Sequence, residues 1–146
     1  MATSATAPSG LMTPTGNGGG FFMGKWIGLL AGTLAGGTAR YTLSDAAHRL
    51  VGASFPYGTM AVNLSGCFLI GIFDGLSQSK FLLSPEARVM LMTGFCGAYT
   101  TLSTLMLETN NLLKDGDALF ALANVGGTVL GGFLFFRAGL FLGEWI

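Results

Sequence analysis

The sequence predicts an all-α membrane protein: four transmembrane helices, the third of them broken, assembled as an antiparallel dual-topology homodimer. Three observations carry this expectation. The 146 residues are 51% hydrophobic and only 10% charged, whereas soluble domains run to about 25% charged. Four apolar segments follow one another, each able to supply the roughly 20 residues that cross a hydrocarbon core. The third contains GFCGAYTTLSTLMLET (94–109), which sets two glycines, four threonines, a serine and a glutamate inside an apolar span.

The totals also exclude. Net formal charge is zero, so there is no basic footprint for nucleic acid. Cys67 and Cys96 lie in apolar segments and form neither a disulfide framework nor a metal-ligand spacing; they read as small buried fillers. No nucleophile–base pair or metal cluster suggests an enzyme. The 24 glycines, with low charge and no collagen period, suit helices whose backbones approach closely.

In chain order, residues 1–20 are small, polar and rich in Gly, Pro and Thr. They cannot bury a core and are expected to be a disordered tail. No basic region precedes a long apolar core, so a cleaved signal peptide is not expected. Residues 21–146 form the transmembrane domain. Its first helix is expected over about Phe21–Leu43 and carries Gly24, Gly28, Gly32 and Gly36, a small-residue stripe for close packing. SDAAHRLVGASFP reads as the polar connection to the second helix, about Tyr57–Leu76. SQSK leads to the third, about Pro85–Leu113, where Ser84–Pro85–Glu86 is a helix start. KDGD leads to the fourth, about Ala118–Leu142, with a second glycine row at Gly127, Gly131 and Gly132. The short loops make neighbours antiparallel and put both termini on one side.

Loop cations set orientation. Lys25, Lys80, Arg88 and Arg137 fall on one side, and Arg40, Arg49 and Lys114 on the other. With four against three there is almost no bias, and a chain that inserts both ways can build an antiparallel dimer from one product.

Polar groups at membrane depth are costly and tend to be functional. Asn63 lies within the second helix, where it serves either as a helix–helix hydrogen bond or as part of a pathway. Asn124 and Thr128 stand one turn apart on the fourth helix. Arg40, near the end of the first, either snorkels or forms a structural pair. In the third helix, Gly94 and Gly97 weaken the ladder, and Thr and Ser offer the backbone alternatives. A break at this depth is tolerated only inside protein or beside a water-filled cavity. Beyond it, Thr100, Thr101, Thr104 and Glu108 fall on one helical face, giving either a polar track or a threonine-rich interface that joins helices.

These residues resemble a known family. GGTARY (36–41) resembles the first-helix GGxxR[YW] motif of the Fluc fluoride channels, also called the CrcB family. GTMAVNLSGCFLIG (58–71) is similar to their GTLxVNxxGxFxxG, and GFCGAYTTLSTLMLET to their GFxGGxTTFSTFSxE; GTVLGG (127–132) matches their GSxxxG more loosely. The resemblance implies a dual-topology homodimer in the plasma (inner) membrane that exports fluoride passively and relieves fluoride toxicity. It implies a fluoride pathway formed by Asn63, Leu102, Ser103, Thr104, Leu105, Glu108, Asn124 and Thr128, with Arg40 structural. It further implies a structural sodium ion at the dimer interface, held by the backbone carbonyls of Gly97 and Thr100. The chain departs from the pattern at Leu102 and Leu105, where the family has phenylalanines whose positive ring edges face the anion. Two other functions compete: a family member that conducts poorly alone or needs a partner subunit, and a small proton-coupled drug exporter. The exporter would want a carboxylate midway along the first helix, which has no acid before Asp45.

Overall fold

The computed structural model describes residues 18–52, 54–79 and 82–146. The expectation of a disordered tail falls mostly on residues 1–17, outside the described residues. The described residues are helical throughout, without a strand: α1 (Gly18–Val51), α2 (Tyr57–Ser79), α3 (Pro85–Arg88), a π-helical segment (Val89–Cys96), α4 (Gly97–Tyr99), α5 (Leu102–Lys114) and α6 (Ala118–Trp145). Elements α3 to α5 form one line, the third helix of the sequence reading, interrupted near its middle.

Three of these helical units are long and apolar enough to cross a membrane: Tyr57–Gln78, Pro85–Lys114 and Ala118–Trp145. Helix α1 has 34 residues, ample length. Its glycines and Lys25 contribute no apolar side chain, and the expected first span is diluted by them.

Several boundaries differ from the sequence expectation for identifiable reasons. Helix α1 does not end at Leu43 but continues through Ser44–Val51. No glycine or proline interrupts it there, and Arg49 pairs with Asp45 one turn earlier at 2.9 Å, a spacing that supports a helix. It stops at Gly52, whose φ of 92° belongs to the left-handed region that glycine enters at no steric cost; the Gly52 amide donates to the His48 carbonyl at 3.0 Å. Pro85 opens α3 as expected, and the Ser84 hydroxyl accepts from the Ala87 amide at 3.2 Å, an N-cap.

Glycine rows set the packing. On α1, a Cβ built at Gly32 or Gly36 would run into the backbone of Met90 or Phe95 on the π segment. The stripe read from the sequence is therefore the seam between α1 and the third helical unit. The tightest contacts of α6 are at Gly139 and Gly143, which meet the backbone carbonyls of Phe68 and Ile72 on α2, and at Gly71 of α2, which meets that of Phe136. Gly127, Gly131 and Gly132 touch side chains of α2 instead, those of Met60, Leu64 and Cys67. Dispersion at such close approach, rather than the hydrophobic effect, holds helices together in lipid.

Gly139→Ala should therefore destabilise the fold, because the methyl meets backbone that cannot rotate away; overpacking of this kind costs roughly 1–3 kcal/mol. Gly37→Ala, where nothing lies within 4 Å, should be neutral or mildly stabilising. Thermal unfolding in detergent compares them, and equal melting of the two variants would refute the seam.

Candidate functional site at the helix break

The third unit loses its helical ladder at Thr100 and Thr101, midway along the Pro85–Lys114 span. Thr100 has ψ 158° and Thr101 has φ −152° and ψ 117°, both extended. The break is displaced from the glycines that the sequence suggested. The helix runs through Gly94 and Gly97, and Gly94 instead packs against the backbone of Leu29 and Thr33 on α1.

Side chains make the break possible. The Thr101 hydroxyl accepts from the Thr104 amide at 3.3 Å, so Thr101 is the N-cap of α5. Asn63 of α2 holds the same residue by both its backbone groups. Its Oδ1 accepts from the Thr101 amide at 2.8 Å, and its Nδ2 donates to the Thr101 carbonyl at 3.1 Å. Asn63 is 7% exposed. In a medium without water, an unpaired backbone amide or carbonyl costs several kcal/mol, and this one side chain satisfies both. Helix α2 is brought close enough because Gly66, one turn on, lets Thr100 and Tyr99 pack against it. Tyr99 is buried, stacks on Phe95 at 5.5 Å between ring centroids, and shares a hydrogen bond with Ser65 at 2.9 Å.

Two carbonyls are released by this arrangement. In an unbroken helix Gly97 would pair with the Thr101 amide and Thr100 with the Thr104 amide. Those amides donate to Asn63 Oδ1 and Thr101 Oγ1 instead.

Of the residues expected on one face, Thr101 and Thr104 meet, with Ser103 beside them, while the Thr100 hydroxyl turns back to the Cys96 carbonyl at 2.9 Å. Thr101 Oγ1 lies 3.0 Å from Thr104 Oγ1 and 3.2 Å from Ser103 Oγ. One turn along α5, Glu108 Oε1 accepts from the Thr59 hydroxyl at 2.7 Å, while its buried Oε2 has no partner among the described residues. Thr59 was not foreseen, though it stands one helical turn before Asn63 and so shares its face. On α6, Asn124 is fully buried and donates to Thr109 Oγ1 at 3.0 Å. Asn124 Oδ1 and Thr128 Oγ1, on the same face as expected, are buried without partners among the described residues. Arg40 is half-buried on α1, and its side chain makes no hydrogen bond or ion pair among the described residues.

Two cavities flank this row. One of about 370 Å³ is lined by Asn63, Gly97, Thr100, Thr101 and Thr128, and by both Leu102 and Leu105. The other, of about 440 Å³, is lined by Glu108, His48, Asn111, Asp115 and Asp117, and α5 leads from the first to the second. The two leucines share the first cavity but differ in setting: Leu102 is 69% exposed and Leu105 2%.

The sequence matches the family described as CrcB-like protein, Camphor Resistance (CrcB), over residues 27–140. It is 41% identical over 124 residues to a protein of Maridesulfovibrio salexigens named fluoride-specific ion channel FluC, covering 85% of this chain and 98% of that protein. It is 48% identical over 114 residues to a protein of the same name from Chlorobaculum tepidum, covering 78% and 90%, and 45% identical over 121 residues to one from Solidesulfovibrio magneticus, covering 82% and 97%.

The two-atom hold on Thr101 gives a direct expectation. Asn63→Ala strands a buried amide and a buried carbonyl, each worth about 1–3 kcal/mol. Asn63→Asp keeps the acceptor but sets a carboxylate oxygen against the Thr101 carbonyl. Both should lower the unfolding temperature in detergent, whereas Ser65→Ala, which leaves Thr101 held, should lower it less. Unchanged melting of Asn63→Ala would refute the hold.

Proposed function

The chain belongs to the CrcB family, and we propose on that footing that it is a fluoride-specific ion channel of the membrane, not an enzyme. The observation that carries the reading is the break itself: a midspan interruption, lined by hydroxyls and amides, that opens onto a cavity. Fluoride is a small, strongly hydrated anion, and a path through hydrocarbon must replace its water with hydrogen-bond donors. Hydroxyls of Thr101, Ser103, Thr104 and Thr128 and the amides of Asn63 and Asn124 are donors of that kind. Glu108 sits in the same row with one oxygen free; it offers an anion a donor only in its protonated form. Movement along such a row needs no energy source, so transport is passive and runs out of a cell whenever fluoride is higher inside, which relieves its toxicity.

The finer assembly is part of the proposal. Helix α1 supplies a fourth span, its glycine stripe seated on the third unit. Two copies in opposite orientations, in the plasma (inner) membrane, bring their breaks together. The large apolar residues left exposed, Leu102, Leu130 and Phe133 among them, support burial against lipid and a second copy. The free carbonyls of Gly97 and Thr100 are hard oxygen ligands that fit a sodium ion, although two from one chain leave its shell incomplete and a second chain must complete it. Bound there, sodium would supply charge that offsets converging carbonyl dipoles. Drug export is not favoured, since α1 carries no carboxylate before Asp45, and nothing in the site requires a second kind of subunit.

Liposomes holding only this protein should release fluoride and retain chloride; no fluoride release would refute the function. Leu102→Phe has room and should preserve or raise the flux, because a ring edge is a better anion partner than a methyl. Leu105 is 2% exposed, so Leu105→Phe must push its packed neighbours aside and should cost about 1–3 kcal/mol of stability. A fall in flux with Leu102→Phe would show that the ring crowds the path and that this wall does not serve the anion through ring edges. For assembly, a topology reporter at the carboxyl terminus should find both orientations in comparable amounts. A single orientation would refute the antiparallel dimer.

A further inference from the structure

The hydrogen bonds around Asn124 decide which end of its amide points where. Thr109 Oγ1 lies 2.7 Å from the Leu105 carbonyl. A carbonyl only accepts, so the single hydroxyl proton of Thr109 is donated there. In its 3.0 Å contact with Asn124, Thr109 Oγ1 is then left to accept, and the Asn124 atom it meets is the nitrogen. The two ends of an asparagine amide are alike in shape, and a network of this kind is what tells them apart. The consequence lies at the other end. Asn124 Oδ1 is fully buried and has no partner among the described residues. Thr128, one turn along the same face of α6 and 8% exposed, has a hydroxyl in the same condition, and it lines the cavity beside the break. Asn124 has a second N–H to offer, but on the nitrogen that Thr109 holds.

We propose that Thr109 is a positioning residue for anion transport: it locks the amide of Asn124 so that the carbonyl, not the NH₂ group, is the end left free. The inference rests on the fluoride-channel reading above. A carbonyl accepts and fluoride accepts, so the two cannot bond to each other. What satisfies Oδ1 is a neutral donor, a water molecule. A buried water takes about two to four polar partners. Oδ1 and the Thr128 hydroxyl, four residues apart on one helical face, supply two, and the second O–H of the water is left for a passing ion. Fluoride then keeps one water at this point instead of binding bare. The hold is weaker for it, and conduction requires an ion that can leave as well as enter. The reversed amide would set N–H donors in the place of the carbonyl and retain the anion. Nothing in Asn124 itself selects one orientation. The choice is made by Thr109, whose own proton is committed to the helix carbonyl one turn before it.

The test is fluoride efflux from liposomes as a function of fluoride concentration, for the full chain and two variants. Thr109→Val keeps the shape, removes the hydroxyl and releases the amide. The half-saturating fluoride concentration should fall by roughly 10-fold, the worth of one added hydrogen bond to a charged group, and the maximal flux should fall with it. Thr109→Ser retains the hydroxyl and should restore both. A lower maximal flux at an unchanged half-saturating concentration would make Thr109 merely structural and overturn the proposal. So would wild-type behaviour of Thr109→Val, and so would failure of Thr109→Ser to restore. If the unaltered chain releases no fluoride, the channel reading falls and this inference with it; if it conducts and Thr109→Val matches it, this inference falls alone. Should Thr109→Val not assemble, the unaltered chain decides. Solid-state NMR in bilayers, with Asn124 Cγ assigned, should show early magnetisation transfer from water to this fully buried side chain, and absence of that transfer overturns the proposal.

Discussion

A broken helix at membrane depth leaves backbone amides and carbonyls with neither water nor a helical partner, and this structure answers that constraint with Asn63. An asparagine amide presents an acceptor and a donor a short distance apart, the same pair that a backbone unit presents. It is the shortest side chain able to close both bonds to Thr101 at once. Once Thr101 is held extended, its hydroxyl turns to cap α5, and the carbonyls of Gly97 and Thr100 are left without their helical amides. The cavity, the row of hydroxyls and the free carbonyls all follow from one residue being kept out of the helix.

The hold requires α2 to approach the break closely, and glycine provides that approach. Gly66 removes the side chain that would strike Thr100. Gly71, Gly139 and Gly143 fix α2 against α6, and Gly32 and Gly36 fix α1 against the π segment. The polar site is thus held by apolar seams on both sides. This division suits a membrane, where packing is strong at close range and a polar group is tolerable only when its partner is fixed in advance.

Much of this was legible in the chain. The period-four glycines of α1 predicted a seam because only residues on one face recur at that spacing, and the seam is there. Asn63 was legible as an unusual amide, but whether it met backbone or anion depended on a neighbour 38 residues away, which no local pattern encodes. The position of the break was misread. Glycine weakens a helix on average, yet Gly94 is held helical by packing, and the break fell where a capping threonine met a side-chain hold. Thr59 was missed because its significance lies in Glu108, a contact between helices. Gly139 and Gly143 were missed for the same reason: their carbonyl partners lie on α2. The continuation of α1 to Val51 was hidden by polar residues that looked like a loop, although nothing among them stops a helix before Gly52.

The central claim is that the Asn63 hold on Thr101 creates the route that fluoride takes. Fluoride flux through Asn63→Ala, reconstituted alone in liposomes after its folding and assembly are verified, tests this most directly. The account predicts that flux collapses while the protein remains assembled. Flux equal to that of the unaltered chain would contradict it, because the route would then not depend on the residue that holds it open.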